Sequence, residues 1–158
     1  MLYIDLVFML VAIILLVINS LTADFEQEKQ SELFVEAQHS TGVLEYKAPD
    51  YLRWEYVSPQ SLIWEIEGET GNVNKQIVNM LMLIKQCVKG DFEAAKTSFN
   101  VAQEGELVTL IPKKREMQRF FRKIDIRLNT ETGIAKQVVI YEANDDCTTI
   151  RFKNVRTN

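Results

Sequence analysis

The chain is poor in the residues that carry most enzymatic and metal chemistry. It has one histidine and two cysteines in 158 residues. Cys87 and Cys147 stand 60 positions apart, whereas thiolate metal sites use close pairs. Two unpaired structural thiols fit this spacing better than a disulfide, though spacing alone does not decide. The lone His39 has Ser40 and Thr41 beside it but no nucleophile elbow and no second histidine. It reads as a solvent-facing histidine at a strand end. Six glycines and three prolines form no glycine-rich phosphate loop. Asn144-Asp145-Asp146 lacks the ligand spacing of a calcium loop. Excess positive charge is also missing. A net charge of −4 argues against nucleic acid, which is bound through clustered Lys and Arg. No metal, no cofactor and no catalytic constellation is expected, so the chain reads as a non-enzyme.

What is present is a globular composition, 47% apolar and 25% charged, with length enough for one domain with a substantial core. Residues 1–18 stand apart, because Leu6 to Ile18 is an unbroken apolar run. It is short for a bilayer span, which needs about 20 residues. It also lacks the basic leader and clean cleavage site of a secretory signal. Signal or anchor, helix buried within the fold, and altered N-terminus all remain open for it.

The most informative segment is Pro49 to Ile66. Leu52, Trp54 and Tyr56 alternate with Arg53 and Glu55, and after Ser58-Pro59 the alternation resumes with Leu62, Trp64 and Ile66. That pattern predicts two antiparallel strands with large apolar inner faces joined by a proline turn. Asn19 to Gln30 opens with residues suited to helix capping and then alternates loosely. Leu33 to Val35 starts a strand that resumes after Thr41-Gly42 with Val43, Leu44 and Tyr46. Val73 to Val88 has helical spacing (Ile77, Leu81, Ile84, Val88), with Gly90 as its stop. A short helix is expected over 91–96, capped by Asp91. Strands are expected over 97–102, 106–111, 120–128, 134–142 and 148–155. In the strand at 120–128, Phe120, Ile124, Ile126 and Leu128 are expected to point inward, against Arg119, Lys123, Asp125 and Arg127. The basic residues Lys113, Lys114, Arg115, Arg119, Arg122 and Lys123 read as a solvated turn and an outer strand face.

The order of these elements resembles a known family. The residues that carry the resemblance are Phe25-x-Gln27, Pro49-x-x-Leu52-Arg53-Trp54-x-Tyr56-x-x-Pro59 and Thr149-Ile150-x-Phe152-x-Asn154-Val155. Taken in sequence from Asn19 to Asn158, they resemble the LolA-type periplasmic lipoprotein carriers. The resemblance implies an α+β fold, a half-open antiparallel barrel with helices covering its mouth. It implies a monomeric periplasmic carrier in a Gram-negative bacterium, anchored to the inner membrane if residues 1–18 are retained. Its ligands would be the acyl chains of lipoproteins, received from an inner-membrane exporter and delivered to an outer-membrane acceptor. The alternative is a membrane-tethered sensor or interaction domain of the same fold that moves no cargo.

On that reading an apolar cavity would be lined by Leu44, Tyr46, Leu52, Trp54, Tyr56, Leu62, Trp64, Ile66, Ile124 and Ile126. Met80 and Leu83, with Met82, would serve as an adaptable lid. Lys47, Arg53, Arg119, Arg122 and Lys123 are the candidates for partner docking. One departure bears on the lid. The family often places an Arg directly before the proline of the sheet turn, and here that position is Ala48, beside Lys47.

Overall fold

Alternation in the sequence becomes alternation in burial, strand by strand. In the first strand, β1 (Ser20–Gln30), Leu21, Ala23 and Phe25 are buried while Thr22, Asp24 and Glu26 face solvent. The computed structural model describes residues 19–89 and 92–158. The apolar run 1–18, together with Gly90 and Asp91, lies outside the described residues. In chain order the strands continue with β2 (Gln38–Lys47), β3 (Tyr51–Ser58), β4 (Leu62–Glu67) and the two-residue β5 (Thr70–Gly71). A helix, α1 (Lys75–Lys89), and a 3₁₀ turn (Ala94–Thr97) follow. Then come β6 (Phe99–Glu104), β7 (Leu107–Pro112), the short α2 (Arg115–Gln118), β8 (Phe121–Leu128), β9 (Ala135–Glu142) and β10 (Cys147–Thr157).

These ten strands form one antiparallel sheet in the order β5-β4-β3-β2-β1-β10-β9-β8-β7-β6. The sheet is not closed, since β5 and β6 are its two edges. Among the described residues helix is a minor component, so this part of the fold is less α+β than the sequence implied.

One face of the sheet carries the core, and α1 packs on it with Val78, Leu81, Leu83, Ile84 and Val88 buried. Laid flat, ten strands at about 4.8 Å spacing would be ~43 Å wide. A 15-residue helix is ~22 Å long and ~10 Å across. Yet that helix contacts β3 and β4 on one side and β9 on the other. The helix thus bridges β4 to β9 across the inner face, and the sheet, open at both edges, has the strand count at which open sheets curl into a half-barrel.

The first and last strands meet in the middle. β1 and β10 pair with Phe25 opposite Phe152. The seam ends in mutual backbone bonds, Asn19 N–H to Asn158 O at 2.8 Å and Asn158 N–H to Ser20 O at 3.0 Å. A register shift between Thr22 and Asp24 faces Asn154, whose φ of 52° lies in the left-handed region that Asn tolerates. The Asn154 amide donates to Asp24 Oδ2 at 2.8 Å and fixes the bulge.

The structure departs from the sequence expectations in several places. Asn19 and Ser20 cap no helix; Ser20 begins β1. Leu33 to Val35 is not strand but an exposed turn, because Ser31 captures the backbone. Its Oγ accepts from Leu33 N–H at 3.2 Å and its carbonyl from Phe34 N–H at 3.1 Å. The helix expected over 91–96 is a 3₁₀ turn at Ala94–Thr97, and its expected cap, Asp91, lies outside the described residues. The basic stretch before β8 is not all turn, since Arg115–Gln118 forms α2. Thr41-Gly42 does not break the strand. β2 runs through it with a register shift against β3.

Gly42 sits opposite Phe25, whose ring lies over it. A Cβ at position 42 would collide with the Glu55 carbonyl oxygen and the Phe25 ring. Neither is a flexible side-chain tip, so Gly42→Ala should destabilise the fold by roughly 3 kcal/mol. Denaturant unfolding checks this, and an unchanged midpoint would refute the collision.

Candidate functional site

Phe25, Trp54, Tyr56, Trp64 and Phe152 come from four strands but share the inner face. Phe25 stacks on Trp54 at 3.9 Å between centroids. Trp54 meets Phe152 edge-on at 6.4 Å and Tyr56 at 6.1 Å, and Tyr56 meets Trp64 at 5.3 Å. The chain of rings leads from the centre of the core outward along β3 and β4. Edge-to-face pairs of this kind add about 0.5–1.5 kcal/mol each beyond their buried area.

The twelve residues expected to line a cavity divide into two groups. Leu44, Tyr46, Leu52, Trp54, Ile66, Leu83, Ile124 and Ile126 are packed in the core, with at most 4% of their surface exposed. Tyr56, Leu62, Trp64 and Met80 keep accessible surface. Met80 and Met82 pack partly buried against the core from α1.

Three of the accessible residues, Tyr56, Leu62 and Trp64, floor an open groove of about 600 Å³. Its walls are Gln27 from β1, Gln38, His39 and Ser40 from β2, and Ser58, Pro59 and Gln60 from the β3–β4 turn. The size is typical of small-molecule sites. No Asp, Glu, Lys or Arg among the described residues lines it. Gln27 holds the Tyr56 ring, accepting its O–H at 3.0 Å. The polar wall residues were legible in principle. Gln27 keeps the inward parity of Phe25, and Gln38 and Ser40 keep that of Leu44, so following the alternation past its apolar part finds them.

The turn before β3 is tied to α1. Lys85, 7% exposed, donates to the Asp50 carbonyl at 3.4 Å and lies 3.7 Å from its carboxylate. Tyr46 O–H donates to the Pro49 carbonyl at 3.2 Å. Ala48 cannot supply the Arg that the family resemblance calls for, and here the link between helix and turn is made from the helix, by Lys85.

The candidate docking cations do not form one patch. Lys47 and Arg53 lie on β2 and β3, while Arg119, Arg122 and Lys123 lie on or before β8, four and five strand steps or ~19 and ~24 Å away on a flat sheet. Several are engaged within the chain: Lys47 with Glu45 at 3.1 Å, Arg53 with Glu55 at 3.4 Å, Arg122 with Asp145 at 2.8 Å and Lys123 with Asp125 at 3.5 Å. His39 is exposed on β2 at the groove's edge. Cys147 is a half-buried free thiol whose pKa burial pushes up. No group of His, Cys, Asp or Glu among the described residues is arranged to hold a metal ion.

Burial also pushes the Tyr56 hydroxyl up. The folded form therefore keeps a proton that the unfolded chain loses above about pH 10. The stability due to Tyr56 is complete below that pH and is lost as pH climbs through the higher folded value. Alkaline titration of the phenolate absorbance should show a late component to which Tyr51, also pushed up by burial, contributes, and Tyr56→Phe should remove the Tyr56 step from it. Survival of that step in the variant would reassign it.

The sequence matches the family model described as outer membrane lipoprotein carrier protein LolA over residues 17–158. No curated protein matches the chain. Among solved structures it is similar to MucB, at 12% identity and a TM-score of 0.53, covering 89% of this chain and 54% of that one. It is likewise similar to the Pseudomonas aeruginosa MucA/MucB complex structure, at 10% identity and a TM-score of 0.52, covering 88% and 52%. The chain thus spans about half the length of the MucB structures it matches. With 142 of its 158 residues inside the family match and an open antiparallel half-barrel as its fold, the chain belongs to the LolA family.

Proposed function

We propose that the chain is a periplasmic carrier that shields an acyl chain of a lipoprotein between the inner and outer membranes. The observation that carries this reading is the groove floored by Tyr56, Leu62 and Trp64, open, uncharged and continuous with the aromatic core. Each methylene taken from water is worth about 0.8 kcal/mol, so an acyl chain crosses an aqueous space only inside such a shelter.

The size of the groove limits what it accepts. A methylene is close to a water molecule in bulk, and at ~30 Å³ each the groove holds roughly 20 such groups. That is one fatty chain. A lipoprotein with two or three chains would need more room, and α1 is the element placed to give it. Its apolar side fills the inner face, its methionines are adaptable, and it is tied to the sheet turn through Lys85. On this reading α1 is the lid over the mouth and residues 19–158 are the carrier domain. Exporter and acceptor are the partners implied, and the five candidate docking cations, split between two parts of the sheet, do not form one landing site for them.

The second reading, an interaction domain that carries no cargo, draws on the dense packing of eight of the twelve expected lining residues.

Fluorescence separates the two. Trp64 borders the groove and Trp54 is buried. Adding a palmitoylated lipopeptide should shift the emission to the blue and protect it from iodide quenching. Trp64→Phe should abolish that change while leaving binding measurable by co-elution. No shift and no co-eluting lipopeptide from a folded protein would favour the domain without cargo.

A further inference from the structure

The turn between β1 and β2 displays Leu33, Phe34 and Val35 in succession, with Leu33 87% and Val35 104% exposed. Three consecutive exposed apolar residues are unusual on a soluble surface and mark contact sites. The turn is held in shape by the two Ser31 hydrogen bonds. A preformed display of this kind loses little entropy on contact. Glu32 and Glu36 flank it, both exposed. An anionic lipid surface repels such a finger; a recess that is apolar inside and basic at its rim attracts it.

The chain itself contains that recess. Two adjoining hollows of about 230 and 210 Å³ lie against α1 and α2 and share Asn79, Glu116 and Met117. Met82, Leu83, Phe120 and Phe121 supply apolar walls. Lys75 and Lys114 line the hollows, Glu116 is the single carboxylate among the described lining residues, and Arg115 and Arg119 add positive charge on α2 and at its C-terminal end.

Finger and recess lie at the same end of the sheet. Gln30 pairs with Cys147, Cys147 with Tyr141 and Tyr141 with Lys123. The β1–β2 turn and α2 both project beyond that row, three strand steps and ~14 Å apart. A two-fold axis beyond this end lets each finger enter the other copy's recess, giving a closed pair.

We propose that the acidic apolar finger Glu32–Glu36 docks in the basic-rimmed recess at α2 of a second copy of this chain, forming a weak reciprocal dimer. Two finger contacts bury little area, so the pair is transient and depends on concentration. It leaves the 600 Å³ groove outside the contact's own residues.

Sedimentation equilibrium of the full chain from micromolar to millimolar concentration tests this. The protein should shift from monomer to dimer as concentration rises. Leu33→Ser/Val35→Ser, Glu32→Lys/Glu36→Lys and Lys114→Glu/Arg119→Glu should each weaken association roughly tenfold or more. All six positions are exposed, so circular dichroism should be unchanged. Mixing the two charge-reversed proteins should restore the dimer, because both reciprocal contacts regain opposite charges. A monomer at every concentration, or association that none of the variants disturbs, would overturn the proposal. So would binding to phosphatidylglycerol vesicles that is lost in Leu33→Ser/Val35→Ser, which would give the finger to lipid instead.

Discussion

The β1–β10 seam is the constraint on which the rest depends. It joins residues 20–30 to 147–157, so nearly the whole chain is the loop it closes. Closing a loop of that length costs chain entropy, although the cost grows only slowly with length. What offsets it is concentrated at the seam. Phe25 and Phe152 face each other across it, Trp54 stacks on one ring and meets the other edge-on, and Lys153 holds Glu26 at 2.6 Å on the outer side. That ion pair pulls the Glu26 carboxyl below the usual range, but it lies at the surface and contributes little. The rings hold the seam. Because it runs down the middle of the sheet, the half of the sheet from β1 to β5 and the half from β6 to β10 are bound into one curved surface around α1.

Seam and groove are coupled through the same rings. Phe25 needs Gly42 beneath it, and the stack on Trp54 sets where Tyr56 stands. Tyr56 in turn carries Trp64 at the open end. The inner face is thus closed at the seam and open at the β3–β4 end for one structural reason. Apolar inward residues give way to Gln27, Ser40 and Ser58 as the strands run out from under the helix.

Much of this was legible in the sequence. The alternation of Leu52-Trp54-Tyr56 and Leu62-Trp64-Ile66 fixes two strands and their inner faces, and β3 pairs with β4 with Trp54 opposite Trp64. The helix with Ile77, Leu81, Ile84 and Val88 spacing is present with ends shifted by a residue or two. Alternation reports which side of a strand a residue takes. It does not report whether that side meets another side chain or empty space, and so Leu52 and Leu62 look alike in sequence but are 0% and 47% exposed. The turn at Leu33–Val35 misleads for another reason. Its residues favour strands, and a single hydroxyl at Ser31 outweighs that preference by bonding the backbone locally. The Lys85–Asp50 contact joins positions 35 apart, and no local pattern announces it.

A carrier has to release what it binds, and the magnitudes bear on how a packed interior serves that need. A second acyl chain of about 16 methylenes, beyond the one the open groove accepts, gains at most ~13 kcal/mol on full burial at ~0.8 kcal/mol each. Displacing α1 to make room exposes Val78, Leu81, Leu83, Ile84 and Val88. At about 2 kcal/mol for each side chain the cost is ~10 kcal/mol. The two terms nearly cancel. On the carrier reading, α1 then acts as a stand-in for the cargo, occupying the apolar face when no chain is there and giving it up at little net cost when one arrives. A rigid empty cavity of the same lining would hold the chain by the full burial energy and let go slowly. A filled one with an open aromatic end lets the chain enter at Trp64 and exchange with the helix from there inward. The packed core that argues for a domain without cargo is, by this balance, also what makes a carrier's binding reversible. The two readings therefore differ in whether the open end admits a chain, and not in how densely the interior is filled.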